Sequence, residues 1–279
     1  MAEVPDRDNG ALSYCFVVPH YRHEGLLASL LPALVDTELP IIVVDDGSPE
    51  DSRIRLRMLA GAHASVQVLE RADNGGKGAA VKDGIRYAQR LGYTHVIQID
   101  ADGQHDLGDL PDFLRASQSC PDAIVSGRPV FGDDAPLARR CGRQLTNFWI
   151  HIETLSNYIP DAMCGYRVYP VSKSAAMIAA GNIGPRMDFD IEFLVRAAWA
   201  GWPILFLPTQ VNYSSGGVSH FRMVHDNIRI TLLHVRLVTG MLLRLPVLLP
   251  RKLFPHRYPT GPGGNLNREF IGAKGNYIG

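Results

Sequence analysis

A chain of 279 residues with 46% hydrophobic content is long enough to bury the core of one large α/β domain or two small ones. Its 28 basic and 28 acidic residues cancel to a formal net charge of zero, which gives no electrostatic reason to expect nucleic acid as a partner. The four cysteines are scattered without a Cys-x-x-Cys pair, which argues against a zinc knuckle or a disulfide framework and fits a reducing cytoplasm.

Apolar segments rich in β-branched residues alternate with helical patterns along the first half of the chain. Strands are predicted at 13–19, 41–44, 66–69, 96–99 and 123–126. Helices are predicted at 26–35, around 54–59 with Ile54, Leu56 and Leu59 facing the core, at 74–89 and at 109–116. This alternation implies βαβ units and a largely parallel sheet.

The second half is less regular. It predicts helices at 138–157, 190–200 and 221–245, the last interrupted by Pro246, and strands ending at Tyr169 and spanning 204–207. We predict an N-terminal lead-in at 1–12, one domain at 13–220, a basic helical segment at 221–258 and a flexible Pro/Gly-rich tail at 259–279. No signal peptide is predicted, and no run of about 18 apolar residues predicts a membrane-spanning helix.

Polar residues follow three of the predicted strands where each strand ends. They are Pro19-His20-Tyr21, Asp45-Asp46 and Asp100-Ala101-Asp102. Ligands of such sheets bind beyond the carboxyl ends of the strands, so we expect these three segments to converge on one site.

Asp100 and Asp102 can bring two carboxylates to one hard cation, with Gly103 turning the backbone and Gln104 adding a neutral oxygen. Oxygen ligands suit Mg²⁺ or Mn²⁺, which keep positions open for substrate phosphates. A calcium loop of the EF-hand kind does not fit, because the twelfth position is Pro111. The pattern favours a metal and diphosphate site of a sugar-nucleotide enzyme; a solvated loop is the alternative.

Lys77 follows two glycines at a predicted helix start, where it could approach a phosphate. Gly78 stands where a Walker A motif needs Ser or Thr, and no dinucleotide fingerprint follows the first strand. Mononucleotide kinases and dehydrogenases are therefore disfavoured. A solvated lysine is the alternative for Lys77.

Four motifs in this order and spacing resemble family 2 glycosyltransferases with the GT-A fold, and within them the dolichyl-phosphate mannosyltransferase-like subgroup. They lie at 16–21, 43–48, 76–80 and 100–105, and the resemblance covers roughly residues 13–235. It implies a single α/β GT-A (Rossmann-like) domain, with a mostly parallel central sheet flanked by helices and a C-terminal helix. It also implies inverting transfer of a hexose from a UDP- or GDP-sugar to a hydroxyl or lipid-linked acceptor.

The resemblance also assigns site residues. It implies that the nucleoside and donor are held by Pro19, Tyr21 and Asp46, with Lys77 and Asp100 beside the donor and Glu24 one residue away from the family's usual position. It implies Mg²⁺ or Mn²⁺ held by Asp100, Asp102 and Gln104, with His220 resembling a C-terminal histidine that contacts metal or diphosphate.

An inverting displacement on a hydroxyl needs a general base. The family pattern, counted back from Arg196 and Gly201-Trp202, places the base at Asp190. Phe189 replaces the usual preceding glutamate, so the choice between Asp190 and the neighbouring acids Asp188 and Glu192 stays open. A phosphate acceptor is already ionised and needs no base.

Arginines that follow the fifth predicted strand suit an acceptor phosphate, because guanidinium geometry matches phosphate oxygens. The resemblance points to Arg128 and Arg143, with Arg139 and Arg140 nearby. An arginine expected before the later Gly-x-Ser is absent, which weakens the lipid-phosphate interpretation. A polyprenyl-phosphate mannosyl- or glucosyltransferase is one alternative function, and a degenerate nucleotide-sugar-binding protein is another.

The last helical pattern is basic and apolar. Between His220 and Tyr258 seven Lys and Arg residues face one acid, Asp226. Such a helix can lie on an anionic membrane. We expect a cytoplasmic protein with peripheral contact to the inner face of the membrane; a helix docked on its own domain is the alternative.

Overall fold

The computed structural model describes residues 11–130, 137–181, 183–211 and 223–253, with side chains omitted at 137–141, 223–227 and 252–253. Its strands are β1 Tyr14–His20, β2 Ile41–Asp45, β3 Val66–Glu70, β4 His95–Gln98, β5 Ile124–Val130, β6 Arg167–Pro170 and β7 Ile204–Gln210. Its helices are α1 Glu24–Val35, α2 Glu50–Gly61, α3 Lys77–Leu91, α4 Leu110–Ser119, α5 Leu137–Glu153, α6 Val171–Ala180, α7 Asp188–Ala200 and α8 Met223–Leu253. A 3₁₀ turn at Leu107–Asp109 precedes α4.

The strands form one sheet in the order β3-β2-β1-β4-β6-β5-β7. Strand β6 runs antiparallel to β4 and β5, and the other neighbouring pairs are parallel. Parallel strands covered on both faces need apolar residues at successive positions, as in the fully buried β2. The predicted single α/β domain with a mostly parallel sheet is therefore confirmed.

Helices cover both faces of the sheet, and β1 shows how one strand supplies both cores. Cys15 and Val17 pack in the cluster that includes residues of α3, α6, α7 and α8. Tyr14, Phe16 and Val18 pack in the cluster that includes residues of α1, α2 and α4. Successive side chains of a strand point to opposite faces, so these two layers follow from the alternation.

Several element predictions are wrong in detail. Ile54 is 49% exposed, so its predicted core position is wrong. The predicted core residue Leu56 is buried and Leu59 is partly buried, while α2 also buries Ala60. Helix α6 was not predicted. Helix α8 continues through Pro246 to Leu253, because each proline removes only one backbone donor and the neighbouring turns keep theirs.

Helix α8 also corrects the expectation that no helix could cross a membrane. By length and composition alone, its segment Ile228–Arg251 is long and apolar enough to do so, and 22% of its most apolar window is buried inside the protein. Regularly spaced arginines interrupt the apolar run, which is why a search for an unbroken run missed it. The predicted boundary at 220/221 and the predicted tail fall outside the described residues.

Close contact between α3 and the sheet depends on Gly84. A Cβ at this position would overlap Cγ1 of Val17 and lie 3.2 Å from Cγ2 of Val44. Both valines belong to the buried strands β1 and β2. The missing side chain therefore sets how closely α3, which carries Lys77 at its start, approaches the sheet.

We predict that Gly84→Ala lowers the free energy of unfolding by about 1–3 kcal/mol despite alanine's higher helix propensity, because the added methyl overpacks the core. The control is Gly61→Ala in α2, where an added Cβ meets nothing within 4 Å. That variant should be neutral or stabilising by up to about 1 kcal/mol. Urea denaturation measures both, and equal stabilities would contradict the packing role of Gly84.

Candidate active site

The predicted polar segments lie at one edge of the sheet, where β1, β2 and β4 end. The end of β1 pairs with the end of β2, His20 opposite Asp45, and β4 lies on the other side of β1. Helix α3 begins at the same edge with Lys77. The chain thus brings together segments that are up to about 80 residues apart, as parallel topology requires.

Lys77 bridges two carboxylates at this edge. Its Nζ lies 2.8 Å from Oδ1 of Asp100 and 2.8 Å from Oδ2 of Asp190, at the start of α7. Burial disfavours the charged ammonium, but the carboxylates of Asp100 and Asp190 outweigh it and raise the pKa of Lys77. Burial likewise opposes ionisation of Asp100, yet Lys77 lowers the pKa of that carboxyl.

The bridge is enclosed by tight packing and further hydrogen bonds. Gln98 Nε2 donates to Oδ1 of Asp190 at 3.2 Å, and Nη1 of the fully buried Arg167 donates to the Asp190 carbonyl at 2.8 Å. A Cβ at Gly165 would overlap the Asp100 carboxylate, so the backbone approaches that group closely. The arrangement fixes Asp190 and Asp100 on opposite sides of one ammonium.

Of the two carboxyl groups in the Asp-x-Asp pair, that of Asp102 is the harder to ionise. Its Oδ1 accepts the backbone N–H of Gln104 at 3.1 Å, across a turn in which Gly103 has φ of +67°. Burial, together with the nearby Asp100 charge, raises the pKa of Asp102 from 3.8 to about 6. Two adjacent carboxylates that resist joint ionisation are the arrangement that a divalent cation relieves.

The oxygen donors of Asp100 and Asp102 fit a hard cation, but they do not complete a shell. Within the part of the chain that the structure describes, no three His, Cys, Asp or Glu side chains are grouped to hold a metal ion. Gln104 is half-buried at the mouth of the turn. His220, the fourth predicted ligand, lies outside the described residues.

Asp46, directly after β2, has a structural role. Its carboxylate accepts the backbone N–H groups of Gly75 at 2.9 Å and Gly76 at 2.6 Å, and it also pairs with Arg71. These bonds hold the turn that leads into Lys77 against the end of β2. The position predicted for nucleoside contact therefore also positions the start of α3.

The other predicted donor residues surround the ends of β1 and β2. Pro19 lies in β1 opposite Val44, and Tyr21 is half-buried just beyond the strand, with the Arg22 guanidinium 5.7 Å from its ring centroid. Glu24 accepts a hydrogen bond from Ser52, which ties the start of α1 to α2.

Of the three acids that compete for the base role, the structure brings only Asp190 to Lys77. Asp188 accepts the backbone N–H of Arg186 at 2.9 Å within its own turn. Glu192 is fully buried and accepts from the Gly184 backbone at 2.8 Å, from Arg196 and from Arg236. Phe189, in place of the expected glutamate, is fully buried in the core.

The two predicted acceptor arginines differ in their surroundings. Arg128 is exposed on β5, opposite Pro208 of β7. Arg143 of α5 pairs with the buried Asp161, with Nη2 3.0 Å from Oδ1. Asp161 Oδ1 also accepts the backbone N–H of Cys164 at 3.0 Å, so this pair shapes the loop before β6.

Sequence reasoning missed several residues around the site. Three of them are buried polar residues that make the hydrogen bonds described above: Arg167, Gln98 and Asp161. His105 lies deep enough that burial lowers its pKa, although the Asp100 charge opposes this. Arg167 is the first residue of β6, and a charged residue directly before an apolar predicted strand is the signal that could have found it.

Comparisons with known proteins identify the family of the chain. The sequence model of "Glycosyl transferase family 2" matches residues 15–177, more than half of the chain. The chain is 28% identical over 214 residues to an undecaprenyl-phosphate mannosyltransferase of Micrococcus luteus, covering 72% of this chain and 87% of that protein. It is 30% identical over 198 residues to a polyprenol monophosphomannose synthase of Mycolicibacterium smegmatis, covering 69% and 73%.

Solved structures share the fold. Glucosyl-3-phosphoglycerate synthase from Mycobacterium tuberculosis, in complex with UDP, aligns with a TM-score of 0.59 at 15% identity over 83% of this chain and 80% of that one. A mannosyltransferase from Pyrobaculum calidifontis, in complex with GDP-Man and Mn²⁺, aligns with a TM-score of 0.54 at 14% identity over 95% and 76%. The predicted GT-A fold and the family resemblance are both confirmed.

The raised pKa of Asp102 predicts a pH-dependent effect of Asp102→Asn. The pKa of this carboxyl is about 6 in the folded protein and 3.8 in the unfolded chain. The folded state therefore loses stability relative to the unfolded state as the pH rises from about 4 to about 6, because Asp102 must ionise in an unfavourable environment. The variant should be more stable than wild type above pH 6, and the difference should vanish below about pH 4.

Thermal unfolding in EDTA at several pH values measures this difference. The control is Asp122→Asn, which removes a 74% exposed carboxylate paired with Lys173. A surface change of this kind is expected to stay within about 0.5 kcal/mol. If the difference in stability between wild type and Asp102→Asn did not change with pH, ionised Asp102 would not be destabilising in the folded protein.

Proposed function

The chain belongs to glycosyl transferase family 2, and we propose that it transfers a hexose, with inversion, from a nucleoside diphosphate sugar to a polyprenyl phosphate at a membrane surface. The observation that carries this proposal is the Asp100–Lys77–Asp190 cluster beside Asp102 at the carboxyl edge of the sheet. Support for the acceptor comes from the two relatives named above, one for undecaprenyl phosphate and one for polyprenol.

Asp100 and Asp102 are proposed to hold Mg²⁺ or Mn²⁺ on the diphosphate of the donor. A diphosphate cannot sit beside carboxylates unless positive charge lies between them. The cation, when bound, supplies Lewis-acid stabilisation of the departing nucleoside diphosphate. Gln104 and His220 are proposed to complement the two carboxylates, and Pro19 and Tyr21 to border the nucleoside.

Lys77 is proposed to add a second positive charge next to the same phosphates. It sits at the N-terminus of α3, where the helix dipole also favours an anion. Its ammonium is held between two carboxylates that can share it with an incoming phosphate. Asp46 contributes by fixing the turn before Lys77 through Gly75 and Gly76.

The surroundings of Asp190 favour a phosphate acceptor over a hydroxyl. A general base must reach the proton that it removes. Asp190 is 3% exposed, and its two oxygens already accept from Lys77 and Gln98. A phosphate oxygen arrives ionised and needs no base, so in this proposal Asp190 acts by holding Lys77. With a hydroxyl acceptor, Asp190 remains the candidate base.

Membrane contact through α8 would bring the enzyme to such an acceptor. Helix α8 packs one face on the domain through Leu233, Leu237 and Met241 and leaves other apolar residues exposed, among them Leu232 at 63% and Leu243 at 78%. Arginines at 229, 236, 244 and 251 alternate with them. We propose that α8 lies on the inner face of the membrane. Full recovery in the soluble fraction at low salt, without binding to anionic vesicles, would contradict this.

We predict that wild-type protein transfers hexose from GDP- or UDP-sugar to polyprenyl phosphate in the presence of Mn²⁺ or Mg²⁺, and that EDTA abolishes the transfer. Asp102→Asn should lower kcat/KM by about 100-fold or more, because one carboxylate no longer holds the cation. Radiolabelled sugar transfer into the lipid fraction measures it, and calorimetry with GDP and UDP reports donor binding separately.

The matched control is Asp106→Asn, an exposed acid four residues away whose side chain accepts the Gly108 backbone N–H, a bond that asparagine can keep. It should retain nearly full activity. Failure of wild type to bind either nucleotide, with or without metal, would indicate a degenerate donor pocket and would overturn the proposed transfer. Nucleotide binding without any transfer would favour the degenerate nucleotide-sugar-binding protein instead.

Arg128 supplies a test of the acceptor. We predict that Arg128→Gln raises KM for polyprenyl phosphate roughly tenfold, since a charge-assisted bond to phosphate is lost, while donor KM stays unchanged. The control is Arg90→Gln, an exposed arginine on α3 that stacks on Tyr87. Equal acceptor KM values for wild type and Arg128→Gln would remove Arg128 from the acceptor site.

A further inference from the structure

A second charged site lies between α7 and α8, away from the Asp100 cluster. It is an open cleft of about 350 Å³, more than ten times the roughly 30 Å³ that one water occupies in the liquid. Three arginines line it: Arg196 from α7, and Arg236 and Arg244 from α8. None of the described residues that line the cleft is acidic.

Two of these guanidinium groups are fixed by one buried carboxylate. Glu192 is fully buried and accepts from Arg196 Nε at 2.8 Å on one oxygen and from Arg236 on the other. The second oxygen also accepts the Gly184 backbone N–H at 2.8 Å. The carboxylate is therefore saturated, and each arginine keeps further N–H donors that Glu192 cannot use.

The third guanidinium is fixed by an aromatic ring. Arg244 lies over the indole of Trp199 at 4.7 Å from the ring centroid, and its Nη1 donates to the Gly240 carbonyl at 2.9 Å. The indole is itself anchored, because its Nε1 donates to the Glu153 carbonyl at 2.8 Å. A Cβ at Gly240 would lie 2.8 Å from Trp199, so this glycine lets α8 pass close enough to form the cleft.

The cleft therefore carries three fixed positive charges against one saturated negative charge, an excess of two. Its rim continues into the exposed apolar surface of α8, since Leu243 lines it and is 78% exposed. Preorganised arginines beside a ring are suited to phosphate oxygens, and an apolar rim is suited to the chain that carries them. We propose that this cleft binds the phosphate group of a phosphate ester, with an anionic lipid headgroup and a soluble phosphate ester as its two possible sources.

The test compares Arg244→Gln with Arg229→Gln in the full chain. Both variants remove one exposed arginine from α8, but only Arg244 lines the cleft. Arg244 contacts its own helix and the Trp199 ring without touching Glu192, so its loss leaves the buried carboxylate paired. Circular dichroism and thermal unfolding are measured to check that both variants fold.

In the vesicle arm, cosedimentation is measured with phosphatidylcholine vesicles with and without phosphatidylglycerol. In the soluble arm, calorimetry is measured with glycerol 3-phosphate. We expect Arg244→Gln to bind about fivefold or more weakly than Arg229→Gln in at least one arm, because a positioned charge contributes more than a diffuse one.

The two arms distinguish the source of the phosphate. A specific loss on phosphatidylglycerol vesicles identifies a lipid headgroup, and a specific loss with glycerol 3-phosphate alone identifies a soluble ester. Equal binding by the two variants in both arms overturns the proposal, since diffuse attraction to the basic helix would then account for any binding. The proposal does not need the transfer activity, and the soluble arm tests it even where α8 fails to bind membranes.

Discussion

The ammonium of Lys77, held between Asp100 and Asp190, is the interaction on which the site depends. It joins Asp100, two residues beyond the end of β4, to the start of α3 and the start of α7 in one charge cluster. Taking these charges from water is costly, and removing one partner of a buried pair typically costs about 3–5 kcal/mol because it leaves the other charge uncompensated. The cluster is thus a constraint on three elements at once, and a phosphate that reached Lys77 would have to share its ammonium with both carboxylates.

The sequence could predict which polar residues lie at this edge of the sheet, because strand ends and motif order identify them locally. Asp100, Asp102 and Lys77 each stand beside a predicted strand or helix boundary, and the parallel topology then brings those boundaries together. What the pattern could not predict is which acid of α7 faces the site. Asp188 and Asp190 both satisfy the preference for acids in a first helical turn, Glu192 lies just beyond that turn, and only long-range packing separates the three.

The prediction that was wrong, for Ile54, and the residue that was overlooked, Arg167, have the same physical explanation. Ile54 was assigned to the core together with Leu56 because apolar residues at helical spacing define a face, but α2 buries Leu56 and Ala60 and leaves Ile54 exposed. Arg167 was overlooked because a charged residue inside a buried strand contradicts the simple pattern. It is accommodated by carbonyl acceptors at Ala162 and Asp190, which lie 5 and 23 residues away along the chain. Both cases depend on partners that periodicity does not specify.

Helix α7 connects the two charged regions. Residues advance about 100° per position around an α-helix, so side chains two positions apart point to nearly opposite sides. Asp190 accordingly reaches Lys77 at the sheet edge, whereas Glu192 reaches Arg236 of α8. Both carboxylates are buried, which leaves α7 little freedom to rotate or slide without breaking one of its ion pairs. The position of α8, and of any surface that it binds, is therefore set by α7 relative to the edge of the sheet that carries Lys77. A membrane held by α8 would meet the active site in one orientation, and this orientation would follow from packing inside the domain.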